Sequence, residues 1–116
     1  MQTILIVDDD PVVLKMLNEH LTTAGYRVIQ AENGRTAVRL ARSRRPDLII
    51  LDIMMPEMDG GDVSQTLRDE PATADIPVVY LSSLVTASVD RQPSQVLVGK
   101  PYNRAELLSV VREELI

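Results

Sequence analysis

Residues 48–60, LIILDIMMPEMDG, place one carboxylate, Asp52, directly after an unbroken run of four large apolar side chains. Such a run, without polar alternation, is typical of a strand that is buried on both faces of a parallel sheet. A buried charge costs free energy unless an opposite charge or a metal ion meets it. The stretch therefore predicts a buried strand that ends at a carboxylate whose partner lies elsewhere in the chain.

Strand-like and helical segments alternate on either side of this run. Strands are predicted at residues 3–7, 26–30, 48–51, 76–81 and 96–98. Helices are predicted from Pro11 until Gly25, from Gly34 until Pro46, and over residues 60–68 and 103–115, where caps, glycines and prolines mark the ends. The stretch 84–95 is weakly patterned and contains Pro93.

The alternation of five strands with helices predicts an α/β fold. Apolar strands without polar alternation indicate a parallel sheet covered on both faces, and right-handed crossovers make such a sheet doubly wound. A length of 116 residues suits a single domain over residues 1–116.

Composition restricts the classes of function. The net charge of −5 argues against direct nucleic-acid binding, which needs a basic face. The absence of cysteine excludes disulfides and thiolate metal sites. The first apolar run, residues 4–7, is too short for a signal peptide or a membrane span, so a cytosolic location without membrane contact is expected.

Polar residues follow four of the predicted strands, at the point where each strand ends. They are Asp8 and Asp9 after the first strand, Asp52 at the end of the third, Ser82 after the fourth and Lys100 after the fifth. The carboxyl ends of parallel strands meet at one edge of the sheet, where such folds bind their ligands. We therefore expect three carboxylates, a hydroxyl and an ammonium to converge there.

This set of groups predicts a particular chemistry. Three adjacent carboxylates repel one another, which either raises their pKa values or favours a bound cation such as Mg²⁺. Lys100 is expected to pair with Asp52 and keep it ionised, and an ionised carboxylate can attack phosphorus. The metal, Lys100 and Ser82 would then meet the phosphoryl oxygens. The pattern indicates an aspartyl-phosphate site.

Over its whole length the chain resembles the receiver domain of two-component response regulators. The matching segments are ILIVDDDP at 4–11, LIILDIMMPEMDG at 48–60, VVYLSS at 78–83 and VGKPY at 98–102. The resemblance implies a flavodoxin-like (βα)5 three-layer sandwich with a parallel sheet in the strand order 2-1-3-4-5.

The resemblance also implies roles for individual residues. Asp52 matches the phosphoacceptor, Ser82 the switch hydroxyl and Lys100 the lysine of the site. Pro101 matches a proline whose preceding peptide bond is commonly cis. The implied metal ligands are Asp8, Asp9, Asp52 and the backbone carbonyl of Met54.

The implied function is signalling, and the chain is not expected to be an enzyme beyond assisting its own phosphorylation and dephosphorylation. A histidine kinase or histidine phosphotransfer protein would supply the phosphoryl group. The expected reader is a downstream protein or an output domain absent from this chain, and a homodimer is possible.

Two alternative functions are compatible with the sequence. A degenerate receiver would serve as a docking module without phosphorylation. A phosphohydrolase of the haloacid dehalogenase type would use Asp8 and Asp10 after the first strand, although Pro11 replaces the Gly-Thr expected to follow.

The chain departs from the receiver pattern at a few positions. Leu97 stands where receivers commonly carry an aromatic residue, so the signal is expected to leave by another route. Ser82 and Lys100 are only 18 positions apart, which predicts a short, displaced or irregular fourth helix. Met54 and Leu84 offer no hydrogen bond to an attacking water, which predicts slow self-dephosphorylation.

Overall fold

The computed structural model describes residues 1–55, 60–82, 89–92 and 95–115. Within them the strands are β1 Thr3–Val7, β2 Arg27–Ala31, β3 Leu48–Asp52, β4 Val78–Ser82, β5 Val89–Gln92 and β6 Gln95–Gly99. The helices are α1 Pro11–Thr23, α2 Gly34–Arg44, α3 Gly60–Arg68 and α4 Arg104–Glu114. The predicted strands and helices match these elements with shifts of one or two residues at several ends.

All six strands form one sheet in the order β2-β1-β3-β4-β6-β5. The first five of these strands pair in parallel, and β6 is the fifth strand predicted from the sequence. The predicted α/β class and the strand order 2-1-3-4-5 are therefore confirmed.

The segment before β6 differs from the prediction. Residues 89–92 form the edge strand β5, antiparallel to β6, and are not part of a helix. The short, displaced or irregular fourth helix expected within residues 84–95 does not extend to these four residues, because the open edge of β6 offers them backbone hydrogen bonds. The rest of that stretch before β6, residues 84–88 and 93–94, lies outside the described residues.

The sheet has a hydrophobic core on each face, because successive side chains of a strand point to opposite sides. Ile4, Ile6 and Ile50 pack against α1 and α4, whereas Leu5 and Ile49 pack against α2 and α3. All five of these side chains are fully buried. This three-layer packing explains the apolar runs of β1 and β3, residues 4–7 and 48–51, and fixes where the carboxyl ends of these strands lie.

Side-chain caps fix where the helices beside the sheet begin. Asp10 accepts a hydrogen bond from the Val12 N–H at the start of α1, and Asn33 accepts one from the Thr36 N–H at the start of α2. Such caps satisfy amide groups that a helix leaves unpaired at its first turn. Only three residues separate the end of β1 at Val7 from the start of α1 at Pro11. Asp8 and Asp9 lie in this short connection, at the edge of the sheet.

Candidate functional site

The topology opens a crevice between the ends of β1 and β3. From β1 the chain passes to β2 on one side, and β3 and β4 extend the sheet on the other, so the order reverses here. Val7 is in register with Leu51, so Asp8, directly after β1, and Asp52, the last residue of β3, lie side by side. The apolar runs that bury β1 and β3 therefore deliver both acids to one crevice.

Asp8, Asp9 and Asp52 form an acidic group in that crevice. One carboxylate oxygen from each lies within 4.8 Å of those of the other two. Asp8 is fully buried, Asp52 is 5% exposed and Asp9 is exposed. The three carboxylates therefore converge as predicted. Asp8 and Asp52 lie inside the crevice, and Asp9 lies at its mouth.

Lys100 lies against the two buried acids. Its Nζ is 2.7 Å from Oδ2 of Asp8 and 3.3 Å from Oδ2 of Asp52. From the sequence, Lys100 was expected to pair with Asp52. The structure has both contacts, and the shorter one is to Asp8. A buried ion pair is favourable only when its remaining polar atoms are also bonded, and Oδ1 of Asp8 accepts the Asp10 N–H at 2.9 Å.

The electrostatic balance is different at Asp52. Burial, and next the charge of Asp8, raise the pKa of the Asp52 carboxyl, while Lys100 and the Met54 N–H oppose that rise. Burial lowers the pKa of Lys100, but the hydrogen bond to Asp8 and the charges of both acids outweigh it and raise that pKa. Lys100 is thus a permanent cation at neutral pH beside a carboxylate that is costly to ionise.

Met54 contributes through its backbone. Its N–H lies 3.2 Å from Oδ1 of Asp52, while its side chain is 58% exposed. This amide contact was not predicted from the sequence, because a backbone donor leaves no signature in residue type. The predicted role of the Met54 carbonyl as a metal ligand stays a prediction.

Ser82 ends β4 on the far side of Asp52. It is 2% exposed, and the neighbouring Leu81 is in register with Asp52. Its carbonyl accepts the Lys100 N–H at 2.9 Å, which ties the lysine backbone to β4. The Lys100–Pro101 peptide bond is cis, as the resemblance implied.

Asp10 does not belong to the acidic group. Its side chain caps α1 by accepting the Val12 N–H at 2.9 Å. The phosphohydrolase alternative requires Asp10 to act together with Asp8. Because the Asp10 side chain caps α1, the geometry does not favour that alternative.

The acidic group has the donors that a divalent cation of the Mg²⁺ type prefers. Its three carboxylate oxygens are hard ligands at the ends of two different strands, and they are close enough to share one ion. Mg²⁺ usually keeps several waters, and the exposed Asp9 leaves the mouth of the group open to them. The residues therefore fit Mg²⁺.

Comparisons with known proteins agree with this geometry. The family model described as "Response regulator receiver domain" matches residues 4–112. The DNA-binding dual master transcriptional regulator RpaA of Synechocystis is 41% identical over 116 residues, covering 97% of this chain and 48% of RpaA. The chain belongs to the family of response regulator receiver domains.

Solved structures show the same fold. Chemotaxis protein CheY4 of Vibrio cholerae superposes with a TM-score of 0.86 at 28% identity, covering 99% of both chains. The receiver domain of the sensor histidine kinase PA1611 from Pseudomonas aeruginosa gives 0.87 at 29%, covering 98% of this chain and 97% of that one. That receiver has a magnesium ion coordinated in its active-site cleft.

The similarity to curated relatives is confined to part of their length. The chain spans about half or less of the length of the curated relatives it matches. Among the described residues, no helix has the length and apolar character needed to cross a membrane. Membership of the family defines this chain as a two-component signalling domain.

Proposed function

We propose that this chain accepts a phosphoryl group on Asp52, in the presence of Mg²⁺, from a histidine kinase or a histidine phosphotransfer protein. The observation that carries the proposal is the position of the Lys100 ammonium between Asp8 and Asp52. A structural ion pair needs one acid and one base, whereas this arrangement holds two acids and adds a third at the mouth. Surplus negative charge at one point is typical of a site that awaits a cation.

The proposed reaction is an in-line displacement at phosphorus. A carboxylate oxygen of Asp52 forms a bond to the phosphorus atom of the donor's phosphohistidine as the phosphorus–nitrogen bond breaks. The electron pair of that bond returns to the imidazole nitrogen, which then takes a proton from solvent. When bound, Mg²⁺ would supply positive charge that neutralises the phosphoryl oxygens.

The protein's own residues keep Asp52 competent for this attack. Lys100 and the Met54 N–H favour the ionised form against burial and the Asp8 charge, because both interact better with a carboxylate than with a carboxylic acid. Lys100 would contact a phosphoryl oxygen once Asp52 carries the group. Ser82, at the end of the adjacent strand, is the hydroxyl that would approach another phosphoryl oxygen.

Exposed apolar side chains on α1 and shortly after Asp52 favour a protein as the donor. Val12 and Met16 lie one turn apart on α1, and they are 64% and 43% exposed. Met54, two residues beyond Asp52, is 58% exposed. A partner that brings a phosphohistidine to Asp52 would cover these side chains, whereas a small donor would leave them in water.

Signalling would follow from two conformations of different affinity for a reader. Phosphorylation adds charge at the end of β3, beside Ser82 on β4, and so biases their balance. Leu97 lies on β6 next to Tyr80 of β4 in register and has no ring or hydroxyl to move. We propose that the phosphorylated form is read by a downstream protein or by an output domain. A homodimer and a cytosolic location are also part of the proposal.

The decisive experiment uses a small phosphodonor. The protein is incubated with acetyl phosphate and MgCl₂, and its intact mass is measured, with Asp52→Asn and the exposed-acid control Asp75→Asn in parallel. We expect one phosphoryl adduct in the wild type and in Asp75→Asn, and none in Asp52→Asn or with chelator. Absence of an adduct, together with no binding of beryllofluoride, would support the docking-module alternative.

A further inference from the structure

A hydrogen bond between two aromatic side chains lies outside the site. Nδ1 of His20, near the end of α1, is 2.5 Å from Oη of Tyr102, and the rings meet edge to face with centroids 5.6 Å apart. Burial, with the nearby Glu19 charge, raises the pKa of Tyr102 to about 12, so the phenol keeps its proton. Both side chains are half-buried, and a phenol and an imidazole removed from part of their water are favoured when they bond to each other, so this contact has a preferred geometry.

Tyr102 is close in the chain to Lys100, the lysine of the site. The Lys100 N–H is bonded to the Ser82 carbonyl at 2.9 Å, which fixes the chain on the β4 side. On the other side Tyr102 is bonded to His20, and Asn103 then caps α4 by accepting the Glu106 N–H at 3.1 Å. The backbone of Lys100 is therefore held by directional bonds on both sides.

Lys100 needs such support more than the acids do. Asp8 and Asp52 have short side chains at the ends of central strands, whereas a lysine has four rotatable side-chain bonds between its backbone and its charge. Its Nζ nevertheless contacts two carboxylates at once, at 2.7 and 3.3 Å. A small displacement of the Lys100 backbone would lose one of these contacts, and misplacements near 1 Å can slow a reaction by about 100-fold.

We propose that His20 and Tyr102 are positioning residues that hold Lys100 between Asp8 and Asp52. The proposal rests on the proposed function for its effect on phosphorylation, but its structural part concerns Lys100 alone. Neither residue touches the reacting atoms. Their contribution is the place of the Lys100 backbone, and through it the place of the ammonium.

Substitutions at His20 separate this role from simple packing. In His20→Asn, the side-chain amide can place a hydrogen-bonding atom where Nδ1 stood. In His20→Gln, the amide reaches the position of Nε2 and leaves the Tyr102 hydroxyl unbonded. Tyr102→Phe removes the hydroxyl and keeps the ring. Val28 on β2 is a partly buried residue of the same core. Val28→Ala therefore serves as the control for a general loss of folding stability.

Three measurements are made on each variant of the whole chain. The NH₃⁺ signal of Lys100 is recorded by ¹H–¹⁵N NMR, since an ammonium held by two carboxylates exchanges its protons slowly. The rate of phosphorylation by acetyl phosphate is measured at saturating MgCl₂. Affinity for Mg²⁺ is measured by titration with MgCl₂, because its expected ligands lie at the carboxyl ends of β1 and β3 and should not move.

We expect His20→Gln and Tyr102→Phe to broaden or lose the Lys100 signal and to slow phosphorylation about fivefold, the worth of one hydrogen bond. His20→Asn and Val28→Ala should keep the Lys100 signal and the phosphorylation rate of the wild type. All variants should keep the wild-type affinity for Mg²⁺. An unchanged Lys100 signal in His20→Gln and Tyr102→Phe would overturn the proposal, as would equal losses in His20→Asn. If the wild type takes no phosphoryl group, the proposed function fails, while the Lys100 signal still decides the positioning claim.

Discussion

Lys100→Met removes a positive charge from between two buried carboxylates and keeps an unbranched side chain of similar length. At an effective dielectric constant near 20, contacts of 2.7 and 3.3 Å correspond to roughly 5–6 kcal/mol each, before the cost of desolvating the lysine is subtracted. Removing one partner of a buried pair usually costs about 3–5 kcal/mol. The Lys100 side chain is 20% exposed, so we expect a loss of about 2–4 kcal/mol near pH 7.

The loss should depend on pH in a defined direction. Burial and the Asp8 charge already raise the pKa of Asp52, and removal of Lys100 raises it further. A carboxyl group with a higher pKa in the folded state binds more protons when folded, so its contribution to stability falls as pH rises from its ordinary value of 3.8 through the raised value. Lys100→Met should therefore lie closer to the wild type at about pH 5.5 than at about pH 8.

Urea denaturation followed by circular dichroism, with chelator present, measures these differences. Lys15→Met is the matched control, because Lys15 is the other lysine of the chain and is exposed; it should change stability by less than about 0.5 kcal/mol. Asp8→Asn added to Lys100→Met should restore part of the loss by removing one buried charge. A loss below about 0.5 kcal/mol that is equal at both pH values would refute this electrostatic account.

Three further outcomes are expected. Because folding raises the pKa of Tyr102 to about 12, the wild type should lose stability as pH rises from about 10 to about 12, and Tyr102→Phe should show a flatter dependence of its urea midpoint over that window. Met54→Asn should shorten the lifetime of the phosphorylated protein several-fold, because an amide can orient the attacking water; equal decay of phosphate in both proteins would contradict this. Ile50→Val, in a fully buried position of the central strand, should lower the free energy of unfolding by about 0.5–1.5 kcal/mol in urea titrations, and no change would contradict its place in the core.

Much of the fold could be predicted from local patterns. β1 and β3 are buried on both faces, so their residues form unbroken apolar runs such as Ile4–Val7 that stand out from the helical spacing around them. Asp10 and Asn33 indicate in the sequence where α1 and α2 begin, and both are N-caps in the structure. These features depend on neighbours in the chain, which a sequence displays directly.

The edge strand β5 could not be predicted in the same way. Val89–Gln92 reads VDRQ, which has no strand-like alternation of apolar and polar residues. Its pairing with β6 depends on the open hydrogen-bonding edge that the rest of the sheet provides. Tertiary context of this kind overrides local propensity.

The members of the candidate site could be predicted, but not all of their contacts. Parallel topology alone brings Asp8, Asp52 and Lys100 to one edge of the sheet. Whether the ammonium lies nearer to Asp8 or to Asp52 depends on side-chain conformations that the sequence does not encode locally. The bond between His20 and Tyr102 joins residues 82 positions apart, and neither belongs to a segment that suggests the other.

The central claim is that Asp52 is the residue that becomes phosphorylated. Its most direct test is to trap the acyl phosphate formed from acetyl phosphate and MgCl₂ with sodium borohydride, which reduces a phosphorylated aspartate to homoserine. Peptide mass spectrometry then identifies the reduced residue. We predict homoserine at position 52 and intact aspartates at positions 8 and 9, and homoserine at 8 or 9, or at no position, would contradict the account.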